Sequence, residues 1–176
     1  MSQPTVADLE RAIRNVPDFP KPGIQFKDIT PVLADARLFA ASVELLTAGF
    51  APGSVDAVVG IDARGFIFAA AAALRLGAGF VPIRKKGKLP FHTLEKSYEL
   101  EYGTNTVAVH VDAVKPGARV LLMDDLLATG GTAWAAVALL RQLDAQVLAI
   151  SFLIELAFLK GRDRLPDYPV RSLVVY

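Results

Sequence analysis

Along this chain the spacing of apolar residues alternates between two periods. Residues 5–14 carry Val6, Leu9 and Ile13 at helical spacing behind Thr5, which predicts a short capped helix. Residues 35–50 place Leu38, Phe39, Val43, Leu46 and Phe50 on one side of a longer amphipathic helix, opened by Asp35 and closed near Gly49. A β-branched strand at 56–61 follows, then a helix at 66–76 and a strand at 80–84. Further on, 106–111 and 119–123 read as strands, 133–143 as a helix, and 146–154 and 170–175 as two last strands. Strand, helix and strand in repeated succession predict an α/β domain, with a central, mostly parallel twisted sheet and crossover helices on its faces.

Two stretches break the rhythm. Residues 15–28 hold Pro17, Pro20, Pro22 and Gly23, a density that predicts an irregular loop. Phe26 sits on that loop, where an aromatic serves either packing or binding. Residues 85–104 open with the basic, flexible run Lys85-Lys86-Gly87-Lys88-Leu89-Pro90 and end in an alternating segment at 97–101. A polar excursion of this length inside a compact domain reads as a functional lid. Repeats and internal linkers are absent, so residues 1–176 are read as one domain.

Composition narrows the classes. Hydrophobic residues make up 53% of the chain, yet the longest apolar run, 66–74, ends at Arg75. That is far short of the roughly 20 residues of a spanning helix, so a membrane protein is not expected. The first residues lack a secretory pattern, and a cytoplasmic location is expected. The absence of cysteine excludes disulfides, thiolate metal sites and a cysteine nucleophile. A net charge of +1 offers no general attraction to nucleic acid, so any anion site must be local. His92 and His110 lack metal-ligand spacing and read as structural or exposed, and Tyr98 and Trp134 as packing residues.

The chemistry gathers at 120–132. The apolar run Val120-Leu121-Leu122-Met123 stops at Asp124 and Asp125, and the turn Ala128-Thr129-Gly130-Gly131-Thr132 leads straight into a helix. A strand that delivers two acids to its carboxyl edge, followed by the open N–H groups of a helix start, suits a ligand with both hydroxyls and a phosphate. Carboxylates accept hydrogen bonds from a sugar diol, and glycines let the backbone approach. The spacing is neither that of a Walker A loop nor Gly-x-Gly-x-x-Gly. The same residues also suit a plain helix cap with acidic neighbours. One strand–helix unit earlier, Asp62-Ala63-Arg64-Gly65 reads either as a second anion-binding turn or as a surface turn with a solvated arginine. Arg84, Lys85, Lys86 and Lys88 read as a phosphate clamp or as a solvated charge run.

Residues 120–132 resemble the phosphoribosyl-diphosphate motif of the type I phosphoribosyltransferase family: a hydrophobic strand, two acids and Ala-Thr-Gly-Gly-Thr. Together with Phe19-Pro20-Lys21-Pro22-Gly23-Ile24-Gln25-Phe26-Lys27-Asp28-Ile29-Thr30-Pro31, Asp62-Ala63-Arg64-Gly65-Phe66, Arg84-Lys85-Lys86-Gly87-Lys88-Leu89-Pro90 and Tyr98-Glu99-Leu100-Glu101-Tyr102-Gly103, they resemble its adenine-using members. The resemblance implies that family's fold, with an N-terminal base-binding hood over residues 1–34 and a flexible lid over 85–104. It implies conversion of adenine and 5-phospho-α-D-ribose 1-diphosphate to AMP and diphosphate, with Mg2+, in a homodimer. Asp124 and Asp125 are then expected to hold the ribose hydroxyls, and Ala128, Thr129, Gly130, Gly131 and Thr132 the 5′-phosphate. No direct protein ligand to the metal is expected. Arg64 is expected on the diphosphate, helped by Arg84 and Lys88 from a neighbouring subunit. Phe26 would stack on the base, with backbone groups of Gln25 and Lys27 reading its edge. Glu101 is expected to handle a proton or stabilise charge near the base, with Tyr102 beside it. Lys27 stands where relatives often carry arginine. The rivals are another purine as substrate and a non-catalytic sensor of phosphoribosyl diphosphate.

Overall fold

In the computed structural model, which describes residues 3–100 and 103–176, Thr5 opens the first helix, α1 (Val6–Ala12). Its N–H and hydroxyl donate to the Asp8 carboxylate at 2.8 and 2.7 Å. The strands β1 (Arg14–Pro17) and β2 (Gln25–Asp28) then pair antiparallel, Val16 opposite Phe26. This corrects the irregular loop expected at 15–28. Pro17 ends its strand, and Pro20 and Pro22 lie in the connecting turn where no ladder N–H is needed. Two helices follow, α2 (Thr30–Ala34) and α3 (Ala36–Leu46). Asp35 caps α3 as expected, accepting the N–H of Arg37 at 2.8 Å and of Leu38 at 3.0 Å. The helix stops at Leu46 rather than 50, and Phe50 lies in the turn beyond, its ring 5.0 Å from the Arg171 guanidinium carbon. Residues Met1–Leu45 form one compact unit and Leu46–Tyr176 a second.

The second unit contains β3 (Ala57–Ile61), α4 (Gly65–Leu76), β4 (Gly79–Lys85), β5 (Thr93–Leu100) and β6 (Gly103–His110). It continues with β7 (Arg119–Leu127), α5 (Gly131–Gln142), β8 (Gln146–Glu155) and β9 (Val170–Val175), and two 3-10 turns, Ala157–Leu159 and Gly161–Arg164, precede β9. Seven strands form one sheet in the order β5-β6-β4-β3-β7-β8-β9. The five from β4 to β9 run parallel, and β6 and β5 add an antiparallel edge. Every residue of β3 is buried, as expected for a strand covered on both faces. Phe68, Ala69, Ala72, Ala73 and Leu76 are buried on α4, and Ala135, Ala136, Leu139 and Leu140 on α5. The alanines let both helices lie close to the sheet. β5 begins at Thr93, ahead of the alternation expected from 97, because its partner β6 offers a full ladder from His110 back to Gly103. Among the described residues no helix is long and apolar enough to cross a membrane.

The N-terminal ends of β3 and β7 are tied by one ion pair. Asp56 accepts the backbone N–H and side-chain Nε of Arg119 on Oδ2, at 2.7 and 3.1 Å, and Nη2 on Oδ1 at 2.8 Å. These bonds to the charged form hold the Asp56 carboxyl down at about 2, against 3.8 for an ordinary aspartate. A lowered acid stabilises the fold above its unfolded value, and that contribution is lost as pH falls from 3.8 through about 2. Carbon-detected NMR titration should therefore place Asp56 near 2. The stability gap between the native chain and Asp56→Asn, read by urea unfolding, should close over that pH window.

Candidate active site

The chain leaves β3 for β4 on one side, while β7 lies on the other, so the connections reverse between β3 and β7. In open α/β sheets, ligands bind at such a point, outside the carboxyl ends of the strands. The pairing sharpens the opening: β3 accompanies β7 only as far as Met123, whereas β8 pairs with it to Leu127. The strand was expected to stop at the acids. Instead β7 carries Asp124 and Asp125 within its length, supported by β8 alone, with their β3 side open.

The turn after β3 closes on these acids. A Cβ on Gly65 would stand 2.6 Å from Asp124 Oδ1 and 3.1 Å from its Cα, so the first residue of α4 reaches β7 only as glycine. Beside it, Arg64 Nε donates to Asp125 Oδ2, an ion pair whose carboxylate side is 9% exposed. The site's second arginine is anchored in the same way. Arg84 Nε donates to Asp62 Oδ2 at 3.0 Å, and Nη1 donates to the Lys88 carbonyl at 3.2 Å. Both arginines are thus held at the sheet edge within this one chain, each docked on an acid, and Lys88 joins them through its backbone. The Lys88 side chain is exposed.

The two adjacent acids differ electrostatically. Surrounding protein and the negative charge of Asp125 push the Asp124 carboxyl well above the ordinary aspartate range. The Asp125 N–H that it accepts at 2.8 Å, together with Arg64, pulls the other way.

Beyond β7 the turn 128–132 enters α5 through Gly130, whose φ of +78° favours glycine, and no side chain caps the helix. With Asp124 and Phe152 the turn lines a cavity of about 60 Å³. The second 3-10 turn packs against the 128–132 turn. A Cβ on Gly130 would meet the Gly161 carbonyl oxygen at 2.3 Å, and one on Gly161 would meet that of Ala128 at 2.2 Å. Arg162 fixes this turn, donating Nε and Nη2 to the buried Glu155 at 2.6–2.9 Å and Nη1 to the Val170 carbonyl at 2.8 Å. Sequence reasoning placed a strand at 170–175 and no functional residue after Leu156. The available signal was Glu155, an acid closing a long apolar strand, which demands a buried partner.

Asp124, Asp125, the 128–132 turn, Arg64 and Arg84 are therefore brought together in the second unit. Gln25, Phe26 and Lys27 belong to the first. There Phe26 is half-buried, edge-on to Phe19 at 5.1 Å, and Gln25 Oε1 accepts from Asn15 Nδ2 at 2.7 Å. Lys27 lies opposite Asn15 in the hairpin. Glu101 and Tyr102 lie outside the described residues. Among the described residues no group of three or more His, Asp or Glu could hold a metal by side chains alone.

Adding one methyl at Gly65 or at Gly161 is expected to cost about 1–3 kcal/mol, the usual range for overpacking. Urea unfolding of Gly65→Ala and Gly161→Ala checks this. Gly79→Ala serves as the control: its new Cβ meets nothing nearer than 3.6 Å, and the change should stay within about 0.5 kcal/mol.

The family model described as the phosphoribosyl transferase domain matches residues 25–174. An adenine phosphoribosyltransferase of Acidothermus cellulolyticus is 62% identical over 92% of each chain. The crystal structure of the adenine phosphoribosyltransferase from Rhodothermus marinus superposes with a TM-score of 0.92 at 52% identity, covering 97% of this chain and 98% of that one. That from Saccharomyces cerevisiae, complexed with an imino-altritol bisphosphate and adenine, gives 0.90 at 40% identity, covering 96% and 97%. With most of its length matched by the family model, and near full-length identity well above one half, the chain belongs to the phosphoribosyltransferase family, among its adenine phosphoribosyltransferases.

Proposed function

We infer that this chain transfers the phosphoribosyl group of 5-phospho-α-D-ribose 1-diphosphate to adenine, forming AMP and diphosphate in purine salvage. The observation that carries this reading is the acid pair and the uncapped helix start, set side by side where β3 and β7 diverge. The relatives' shared activity supports it.

In the reaction the bond from the anomeric carbon to the diphosphate oxygen breaks, a bond from adenine N9 forms, and the N9 proton departs. The sugar passes through a cationic, oxocarbenium-like state. Asp124 and Asp125 accept the ribose hydroxyls, and their negative charge favours that cation. The N–H groups of the 128–132 turn and the start of α5 hold the 5′-phosphate. Arg64 receives the diphosphate, helped by Arg84 and Lys88 from a neighbouring subunit, the arginines already fixed by their acids, so little ordering is needed on binding. Phe26 stacks on adenine, and backbone groups of Gln25 and Lys27 read its edge. Glu101 handles the base's proton or charge, with Tyr102 beside it in a lid that excludes competing water.

Magnesium would suit this donor set: the hard carboxylate oxygens of Asp124 and Asp125, acting through the ribose hydroxyls, would help hold it beside the diphosphate. When bound it neutralises leaving-group charge. The reading carries a cytoplasmic homodimer. Ile67 and Leu74, 39% and 87% exposed, stand a helical repeat apart on α4 and offer an apolar face to a second copy.

Purified protein should turn over adenine, and not hypoxanthine, guanine or xanthine, with phosphoribosyl diphosphate. Good turnover of another purine in adenine's place would overturn the base assignment. Asp125→Asn should lower kcat/KM by about 10- to 100-fold, the range for losing one charged hydrogen-bond acceptor. Unchanged turnover would remove the diol role.

The raised Asp124 carboxyl gives a pH test with a fixed sign. Its proton stabilises the empty fold below the unfolded value of 3.8, and that contribution is lost as pH rises through the raised value. Ribose binding needs the ionised acceptor, so affinity for phosphoribosyl diphosphate should rise over the same interval. Asp124→Asn should flatten that rise in a calorimetric pH series.

A further inference from the structure

Along β5 the pleat turns Leu94, Lys96 and Tyr98 to one face. Leu94 packs on the main core, and the Lys96 ammonium sits 4.8 Å from the Trp134 ring centre at the start of α5. Tyr98 is 8% exposed and lies against the phosphate turn: a Cβ on Gly131 would meet its ring carbon at 3.0 Å. Among the described residues its hydroxyl meets one partner, with Thr132 Oγ1 and Tyr98 Oη 2.9 Å apart and the threonine donating. Packing explains the ring and leaves the hydroxyl unexplained. A phenylalanine would fill the same space without needing a partner in the core.

We propose that Tyr98 is a positioning residue for the 5′-phosphate, acting through Thr132. This rests on the phosphoribosyl-transfer reading above. A hydroxyl has one proton to give and two lone pairs to accept with. In the structure Thr132 spends its proton on Tyr98. A phosphate in the turn accepts only, so Thr132 must redirect that proton to a phosphate oxygen. Tyr98 then reverses and donates its own proton to Thr132 Oγ1. The resulting chain, from Tyr98 to Thr132 to phosphate, gives the protons of both hydroxyls an acceptor once the phosphate is bound. Each bond polarises the next, and the terminal one carries the anion's charge. Tyr98 belongs to β5, so this chain of bonds ties β5 to the start of α5.

The test is a double-mutant cycle read by calorimetric titration with phosphoribosyl diphosphate and with ribose 5-phosphate. Tyr98→Phe should weaken both ligands by about 3- to 10-fold, the worth of one hydrogen bond in such a chain, and leave the KM for adenine unchanged. On a Thr132→Val background the same substitution should weaken binding no further. On Thr132→Ser, which keeps the hydroxyl, the penalty should return in full. Unchanged affinity in Tyr98→Phe overturns the proposal. So does a penalty that persists undiminished on Thr132→Val, or an equal loss for adenine, which would mark a general packing role. If the native chain bound ribose 5-phosphate but failed to use adenine, the functional reading would fall while the cycle still decided the role of Tyr98.

Discussion

Everything at this site depends on how closely α4 can approach β7. The two sequence-distant turns at 62–65 and 124–132 form one chemical surface only because Gly65 lets the helix start touch the Asp124 backbone. With that contact made, the Arg64 guanidinium falls onto Asp125, and opposite charges meet where β3 has already left the sheet. With Asp125 buried and Arg64 half exposed, the cost of desolvating the carboxylate offsets much of the attraction, so the pair does little for stability. Its value is orientation: in the proposed reaction, the arginine assigned to the departing polyanion is already in place. The acid that holds it, Asp125, shares a strand with Asp124, the other acid assigned to the ribose. Strand pairing thus sets the geometry, and charge fills it in.

That geometry was partly legible in the chain itself. The alternation of strands and helices identified the α/β sheet because a covered parallel strand such as β3 leaves an unbroken apolar run. Asp124, Asp125 and the Ala-Thr-Gly-Gly-Thr turn announced a polar edge because acids and glycines have no place in a buried strand without a use. The prolines of 15–28 misled, since proline forbids a central ladder position and permits a hairpin end, and single-residue preference does not separate the two. The length of β7 was hidden because it is fixed by β8, a partner distant in sequence. The wall behind the phosphate turn was hidden for the same reason. Gly161 carries no side-chain pattern, and only contact with Ala128 and Gly130 gives it meaning.

The two units differ in chemical character. The sheet unit carries carboxylates, guanidinium groups and helix N–H groups at its edge. The N-terminal unit carries a hairpin on which Phe19 is exposed and Phe26 half-buried. In the proposed reaction the substrates call for both characters, because desolvating a flat base and solvating an anionic sugar phosphate need opposite surroundings.

The interlock of Gly130 with Gly161 also fixes when the site comes into being. During synthesis the strands β3, β4 and β7 and the helix α5 have emerged well before residue 161 leaves the ribosome. Until then the 128–132 turn lacks Gly161 behind it, and Glu155 is an acid without its arginine. A growing chain can therefore possess most of its sheet while that turn stands unsupported. The site is completed from the far end of the chain, so a message cut short after α5 yields a protein that retains the motif and lacks its support.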